Sequence, residues 1–227
     1  MKAVITLDNL ELAKVELEEN GIQRTLHLTL QQLAELLLSS LVEDYNEPKE
    51  EPAKPILISP SLPLNTVKYA KKSDESHLVF LSYPETTATV QYHQSVFQDV
   101  PFPNLVFFFA VKNQRVSNRQ VFAYKDRFLR DDTKLYRYPY SNVYENGRMC
   151  YYSDETVKDL VQLQTFPHRW LHTPFNDHLY FPRQVNLTSK PLRQLLEESQ
   201  GKPFDYSILR PAPQNLTFHE WAESIIN

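Results

Sequence analysis

Residues 135–150 read Leu-Tyr-Arg-Tyr-Pro-Tyr-Ser-Asn-Val-Tyr-Glu-Asn-Gly-Arg-Met-Cys. Tyrosine and valine favour a pleated backbone, and Pro139 does not suit a helix interior, so the stretch is extended. It closes on Asn146-Gly147, a hairpin signal, with Cys150 three residues beyond the glycine. The chain has only three glycines against sixteen prolines. Where glycine is this scarce it marks turns that need a positive φ. A lone cysteine without context reads as a small buried hydrophobe. The turn presents the thiol, but Asn146-Gly147 by itself reads only as a hairpin.

Working outward, the chain upstream is a meander. Val67–Ala70, Leu78–Tyr83, Thr87–Tyr92, Leu105–Val111 and Gln120–Tyr124 are β-branched or aromatic and are separated by turn residues. Leu105–Val111 is apolar throughout, which predicts a central strand buried on both faces, with Pro101 and Pro103 fixing its start. Downstream, Ser153 is expected to cap a helix over Asp154–Gln164. Ser189 is expected to start one over Pro191–Gln200 that Gly201 ends. Thr217-Phe218-His219-Glu220 is a capping box that opens a short C-terminal helix with Trp221 and Ile225 on one face.

Farther upstream, Ala3–Leu28 holds two or three strands, with Leu12–Glu18 and Ile22–Leu28 flanking Asn20-Gly21. Thr29-Leu30-Gln31-Gln32 is a capping box, and Leu30, Leu33, Leu37 and Leu41 follow at helical spacing. The expected organisation is a small ββα lobe over 1–42, an acidic, proline-rich linker over 43–55, and one larger domain over 56–227. Strands first and helices after give an α+β fold, an antiparallel meander with flanking helices.

Composition excludes several classes. A net charge of −4 without a Lys/Arg stripe argues against nucleic acid or an anionic membrane as partner. No apolar run approaches the roughly 20 residues of a membrane span. The N-terminus lacks the apolar core of a secretory signal, so the expected location is the cytoplasm. One cysteine forms no internal disulfide and no cysteine-rich zinc site. The seven histidines show no metal spacing, there is no Gly-rich phosphate loop, and no Gly-x-Ser-x-Gly elbow occurs. No metal or cofactor is expected.

The segment ending at Cys150 resembles the active-site approach of ubiquitin-conjugating enzymes, where a His-Pro-Asn motif precedes a glycine turn and the catalytic cysteine. Asn142 and Cys150 keep that family's eight-residue spacing. More closely, Tyr140-Ser141-Asn142-Val143-Tyr144-Glu145-Asn146-Gly147-Arg148-Met149-Cys150 is similar to the pattern of the prokaryotic family D of such proteins, which includes the PRTRC system protein B group. Leu62–Asn65, Pro101–Ala110 and His172–Asn176 also look like that family, so the resemblance spans roughly residues 60–180. Tyr140 stands where conjugating enzymes have histidine, and Ser141 where they have proline.

The resemblance implies a ubiquitin-conjugating-enzyme-like fold and a thioester on Cys150. It gives Asn142 two roles, as donor to the developing oxyanion and as brace of the loop. Asp177 is the candidate for the acidic gate of conjugating enzymes, while Tyr140, Gly147 and Arg148 support the site. Arg148 favours the thiolate or pairs with Glu145 or Asp154. The implied partners are a ubiquitin-like protein, a ThiF-type activating enzyme and a JAB-type peptidase, in mobile-element or antiphage defence systems. Two other readings stay open. One is an inactive scaffold of the same fold that binds a ubiquitin-like protein or activating enzyme. The other is a Cys-His hydrolase pairing Cys150 with His172 or His178.

Overall fold

The computed structural model describes residues 2–7, 12–19, 21–44, 59–150 and 156–227. The chain divides into two compact units, residues 1–58 and 59–227. The first is a three-stranded antiparallel sheet, β1 (Lys2–Leu7), β2 (Leu12–Glu19) and β3 (Ile22–Thr29), followed by helix α1 (Leu30–Asp44). So three strands precede the helix. The predicted capping box is made: Gln32 N donates to Thr29 Oγ1 at 3.2 Å, and Thr29 N donates to Gln32 Oε1 at 3.0 Å. Alternation along β2 buries Ala13 and Val15 against Leu33 of α1, with Leu17 and Leu28 at the margin. Leu30, at the same helical spacing as Leu33, is exposed. The expected linker over 43–55 lies, beyond Asp44, outside the described residues.

The second unit is built on a five-stranded antiparallel sheet. In chain order it contributes β4 (Thr66–Lys71), β5 (His77–Tyr83), β6 (Thr86–Tyr92), β7 (Ser95–Phe102), β8 (Asn104–Lys112), β9 (Arg115–Tyr124) and the short β10 (Leu135–Tyr136). The sheet order is β10-β9-β8-β5-β4, while β6 and β7 form a separate hairpin. The apolar run over Leu105–Val111 lies at the centre, as predicted, paired with β5 and β9. Its side chains alternate between two cores: Leu105, Phe107, Phe109 and Val111 face one, Val106 and Phe108 the other. Burial on both faces is why the run carries no polar residue.

The larger core packs under the β6–β7 hairpin and helices α2 (Phe166–Leu171) and α3 (Leu192–Ser199). The smaller is closed by helix α4 (Phe218–Ile226), whose Trp221 stands edge-on to Phe80 and Phe122. The α4 capping box is present, with Thr217 N donating to Glu220 Oε2 at 2.8 Å and Glu220 N to Thr217 Oγ1 at 3.3 Å. Thr217→Ala is expected to cost about 1 kcal/mol, read as a lower urea midpoint at unchanged m-value.

Two helix expectations are corrected. The helix over Asp154–Gln164 is replaced by a 3-10 helix over Leu160–Thr165 that leads into α2. Its cap is Asp159, which accepts from Val161 N at 3.1 Å. Thr156 bridges Arg115 and Val157 N donates to Gln114 O, so the chain there is extended. Ser153 and Asp154 lie outside the described residues. Helix α3 starts at Leu192 with Pro191 at its N-cap position, not with Ser189, and makes no side-chain cap bond. Among the described residues no helix is long and apolar enough to cross a membrane.

Candidate functional site

After β9 the chain turns back along that strand's outer edge. Strand β10 pairs with Ala123 and Tyr124, and farther along the same edge Val121 N donates to Gly147 O at 2.9 Å and Met149 N to Arg119 O at 3.1 Å. Between these anchors the chain dives inward. Tyr138 and Tyr140 are buried, and Tyr140 Oη donates to Pro101 O at 2.7 Å. Its ring packs at 5.2 Å from Phe102 and 5.9 Å from Phe175, and burial pushes its phenol far above the ordinary tyrosine range. Tyr140 is thus a neutral core anchor at the foot of the site.

The thiol sits at the end of a small hairpin. Val143 bridges Met149, Tyr144 N donates to Arg148 O at 2.8 Å, and Gly147 N donates to Tyr144 O at 2.9 Å. Gly147 has φ +83° and is the hairpin's only residue with positive φ after Asn142. This is a three-residue loop with a glycine bulge, not the two-residue turn suggested by Asn146-Gly147 alone. A side chain at 147 is forbidden twice: the left-handed φ strains it, and a Cβ would stand 2.6 Å from the Phe122 ring. Cys150 follows, half-buried, with its N–H donating to Asn142 O at 2.8 Å. The two motif residues are therefore tied directly through the backbone.

Asn142 has φ +69° and is 7% exposed. Asparagine tolerates that conformation better than most residues. Its Nδ2 donates to Pro174 O at 2.9 Å, and Ser141 Oγ, which lies 3.2 Å from Asn142 Oδ1, donates its single proton to Asn176 O. An amide nitrogen carries two protons. One is held by Pro174 O, and among the described residues the other has no partner.

Arg148 stacks on the Tyr144 ring at 4.3 Å. Glu145 pairs with Arg137, so the expected Arg148–Glu145 pair is not formed, and Asp154 lies outside the described residues. Asp177 is brought near the motif, since the preceding Asn176 holds Ser141. Its carboxylate is nevertheless engaged: Tyr92 Oη donates to Oδ1 at 2.6 Å, and His93 Nε2 lies 2.9 Å from Oδ2. The Tyr92 bond, then the His93 bond, hold Asp177 below the usual carboxylate range, while burial and Asp177 push Tyr92 up to about 12. The structure connects neither Asp177 nor any histidine to Cys150 among the described residues. His172, one of the two candidate bases, is turned instead to His168 O at 2.8 Å.

The model of prokaryotic E2 family D matches residues 39–212, well over half of the chain. The chain belongs to prokaryotic E2 family D. No curated protein and no solved structure matches it. In this family D protein the match covers the whole five-stranded sheet, the hairpin and the 172–177 segment. It leaves β1–β3 and α4 outside. The fold is conjugating-enzyme-like, α+β with mostly antiparallel sheets and few helices. Among the described residues of this family D chain, no group of three or more His, Cys, Asp or Glu is placed to hold a metal.

Tyr92 and His93 are the site neighbours that sequence reasoning misses. They lie 85 and 84 residues from Asp177 in the chain, and nothing local marks them. Pro174 and Asn176 fall within the 172–176 segment noted for its family likeness, although their carbonyl roles leave no trace in side-chain identity.

Proposed function

We propose that this protein is an acyltransferase of the conjugating-enzyme type, accepting the C-terminus of a ubiquitin-like protein on Cys150. The Cys150 thiolate attacks the thioester carbonyl of the charged activating enzyme, and that enzyme's thiol leaves. An amine then attacks the Cys150 thioester, an oxyanion forms, the cysteine thiolate departs, and the nitrogen loses a proton to solvent. The observation that supports the reading is the bond from Cys150 N to Asn142 O, which joins the half-buried cysteine and the amide-bearing residue within one turn. Transthiolation needs access to the thiol more than a strong acid or base. The engagement of Asp177 by Tyr92 and His93 is compatible with that. The proposed partners are a ubiquitin-like protein and a ThiF-type activating enzyme, with a JAB-type peptidase reversing the product. The proposed setting is the cytoplasm, in a PRTRC-like or antiphage system.

The test is a charging assay with a candidate ubiquitin-like protein, a ThiF-type activating enzyme and ATP, resolved on paired reducing and non-reducing gels. A thiol-sensitive adduct supports the reading. No adduct, with an activating enzyme shown to be charged itself, ends it.

Asn142→Gly keeps the positive φ and the backbone carbonyl that holds Cys150 N while removing the amide. Discharge of the adduct to free lysine is expected to fall on the order of 100-fold, the loss for one oxyanion donor. A fall of only a few-fold would leave Asn142 as a brace. The scaffold reading draws on the same contact, because Pro174 O already occupies one proton of that amide.

A further inference from the structure

The four residues 174–177 are gripped alternately from two sides. Pro174 O accepts from Asn142 Nδ2, and Asn176 O accepts from Ser141 Oγ, both toward the Cys150 hairpin. Phe175 N donates to Gln91 O at 2.7 Å, and Asp177 takes the Tyr92 and His93 side chains, both toward β6. Tyr92 is buried, and the Arg193 guanidinium lies over its ring at 5.3 Å. His93, at φ +53° in the β6–β7 turn, packs edge-on against Tyr92 at 4.4 Å between ring centroids. The segment that carries the Pro174 carbonyl, the partner of the Asn142 amide, is thus tied to the β6–β7 hairpin on one side and to α2 on the other, where Thr173 N and Oγ1 donate to Trp170 O at 2.9 and 2.7 Å.

We propose that Tyr92, His93 and Asp177 are positioning residues: they clamp the 174–177 segment so that Pro174 holds the Asn142 amide beside Cys150. The inference rests on the conjugating reading of that site and gives Asp177 a positioning role in place of the proposed acidic gate, a choice the variants below decide. A gate needs its carboxylate turned to the incoming amine. This carboxylate has a short phenol bond on one oxygen and an imidazole on the other. A clamp needs acceptors in the right places and no net charge. An asparagine supplies them, with its amide oxygen accepting from Tyr92 and its NH2 facing His93 Nε2.

The test compares Asp177→Ala, Asp177→Asn and Tyr92→Phe. Equal amounts of preformed Cys150 adduct are discharged to free lysine, and the Asn142 side-chain amide is followed by 15N NMR on the uncharged protein. Asp177→Ala and Tyr92→Phe are expected to slow discharge on the order of tenfold, the range in which small misplacements act. Both should speed solvent exchange of the Asn142 amide proton held by Pro174. Asp177→Asn should stay close to wild type in both measurements. If Asp177→Asn is as slow as Asp177→Ala, the negative charge is what matters and the clamp is overturned. Unchanged Asn142 exchange in the alanine and phenylalanine variants overturns it as well. Failure of the wild-type protein to charge sinks the conjugating reading instead, and the NMR arm still decides the clamp. Tyr92→Phe, which loses one hydroxyl, guards against a folding defect in Asp177→Ala.

Discussion

Cys150→Ala is expected to form no adduct with a charged activating enzyme under any condition in which wild type charges. The chain has one cysteine, so no second thiol can rescue the reaction. The same fact makes the control simple. Iodoacetamide should add one carbamidomethyl group per wild-type chain, none to the variant, and block charging in proportion. The half-buried setting of the thiol predicts that the reaction proceeds without denaturant. Cys150→Ser sharpens the test. A hydroxyl attacks far more slowly than a thiolate, but an adduct that does form is an oxyester, which resists thiols and yields to hydroxide. A thiol-sensitive adduct persisting in Cys150→Ala would place the acyl group elsewhere and refute the assignment.

Gly147→Ala carries the largest expected loss of stability. The left-handed φ of +83° costs a residue with a Cβ roughly 1–2 kcal/mol. The new methyl would meet the Phe122 ring at 2.6 Å and the Val121 carbonyl at 3.2 Å. Forcing a packed core open adds about 1–3 kcal/mol. Phe122 also packs edge-on against Trp221 at 5.1 Å between ring centroids, so a shift of its ring disturbs that contact. The expected total is about 2–5 kcal/mol, measured by urea unfolding. Gly201→Ala separates the two terms, because Gly201 also has positive φ, +66°, but nothing within 4 Å of its Cβ position. It should lose only the conformational part. Equal losses for both would mean that Phe122 moves aside at little cost. The hairpin bonds to Val121 and Tyr144 run through Gly147, so alkylation of Cys150 should also change rate.

What the chain's own letters reveal here depends on how local the physics is. Strand β8 is legible because burial on both faces leaves an unbroken apolar run, and α4 because its capping box spans four consecutive residues. Strand β7 is not legible: Pro101 argues against a strand, yet β7 pairs only with β6, so its other side needs no N–H. The helix expected from Ser153 fails in its described part because Asp159 is a cap closer to the apolar residues that pack, Leu160 and Leu163. The hairpin from Asn142 to Cys150 is legible as spacing, since the bonds that close it, Cys150 N to Asn142 O, Tyr144 N to Arg148 O and Gly147 N to Tyr144 O, join residues at most eight apart. The clamp is not, because its partners meet only after the sheet and the 172–177 segment have assembled.

Strand β9 presents its outer backbone edge to β10 at Ala123 and Tyr124 and to the hairpin at Arg119 and Val121. An unpaired sheet edge recruits strands from other chains, and most proteins blunt it with charge, proline or a covering segment. Here the covering segment is the loop that carries the thiol. Proteolytic nicking between Tyr136 and Arg148, or grafting a foreign loop there, would uncover β9 beside an aromatic core and so invite insoluble assemblies. On the proposed reading, the same sixteen residues, 135–150, both cover that edge and carry the acceptor thiol, so a change made for one role is constrained by the other.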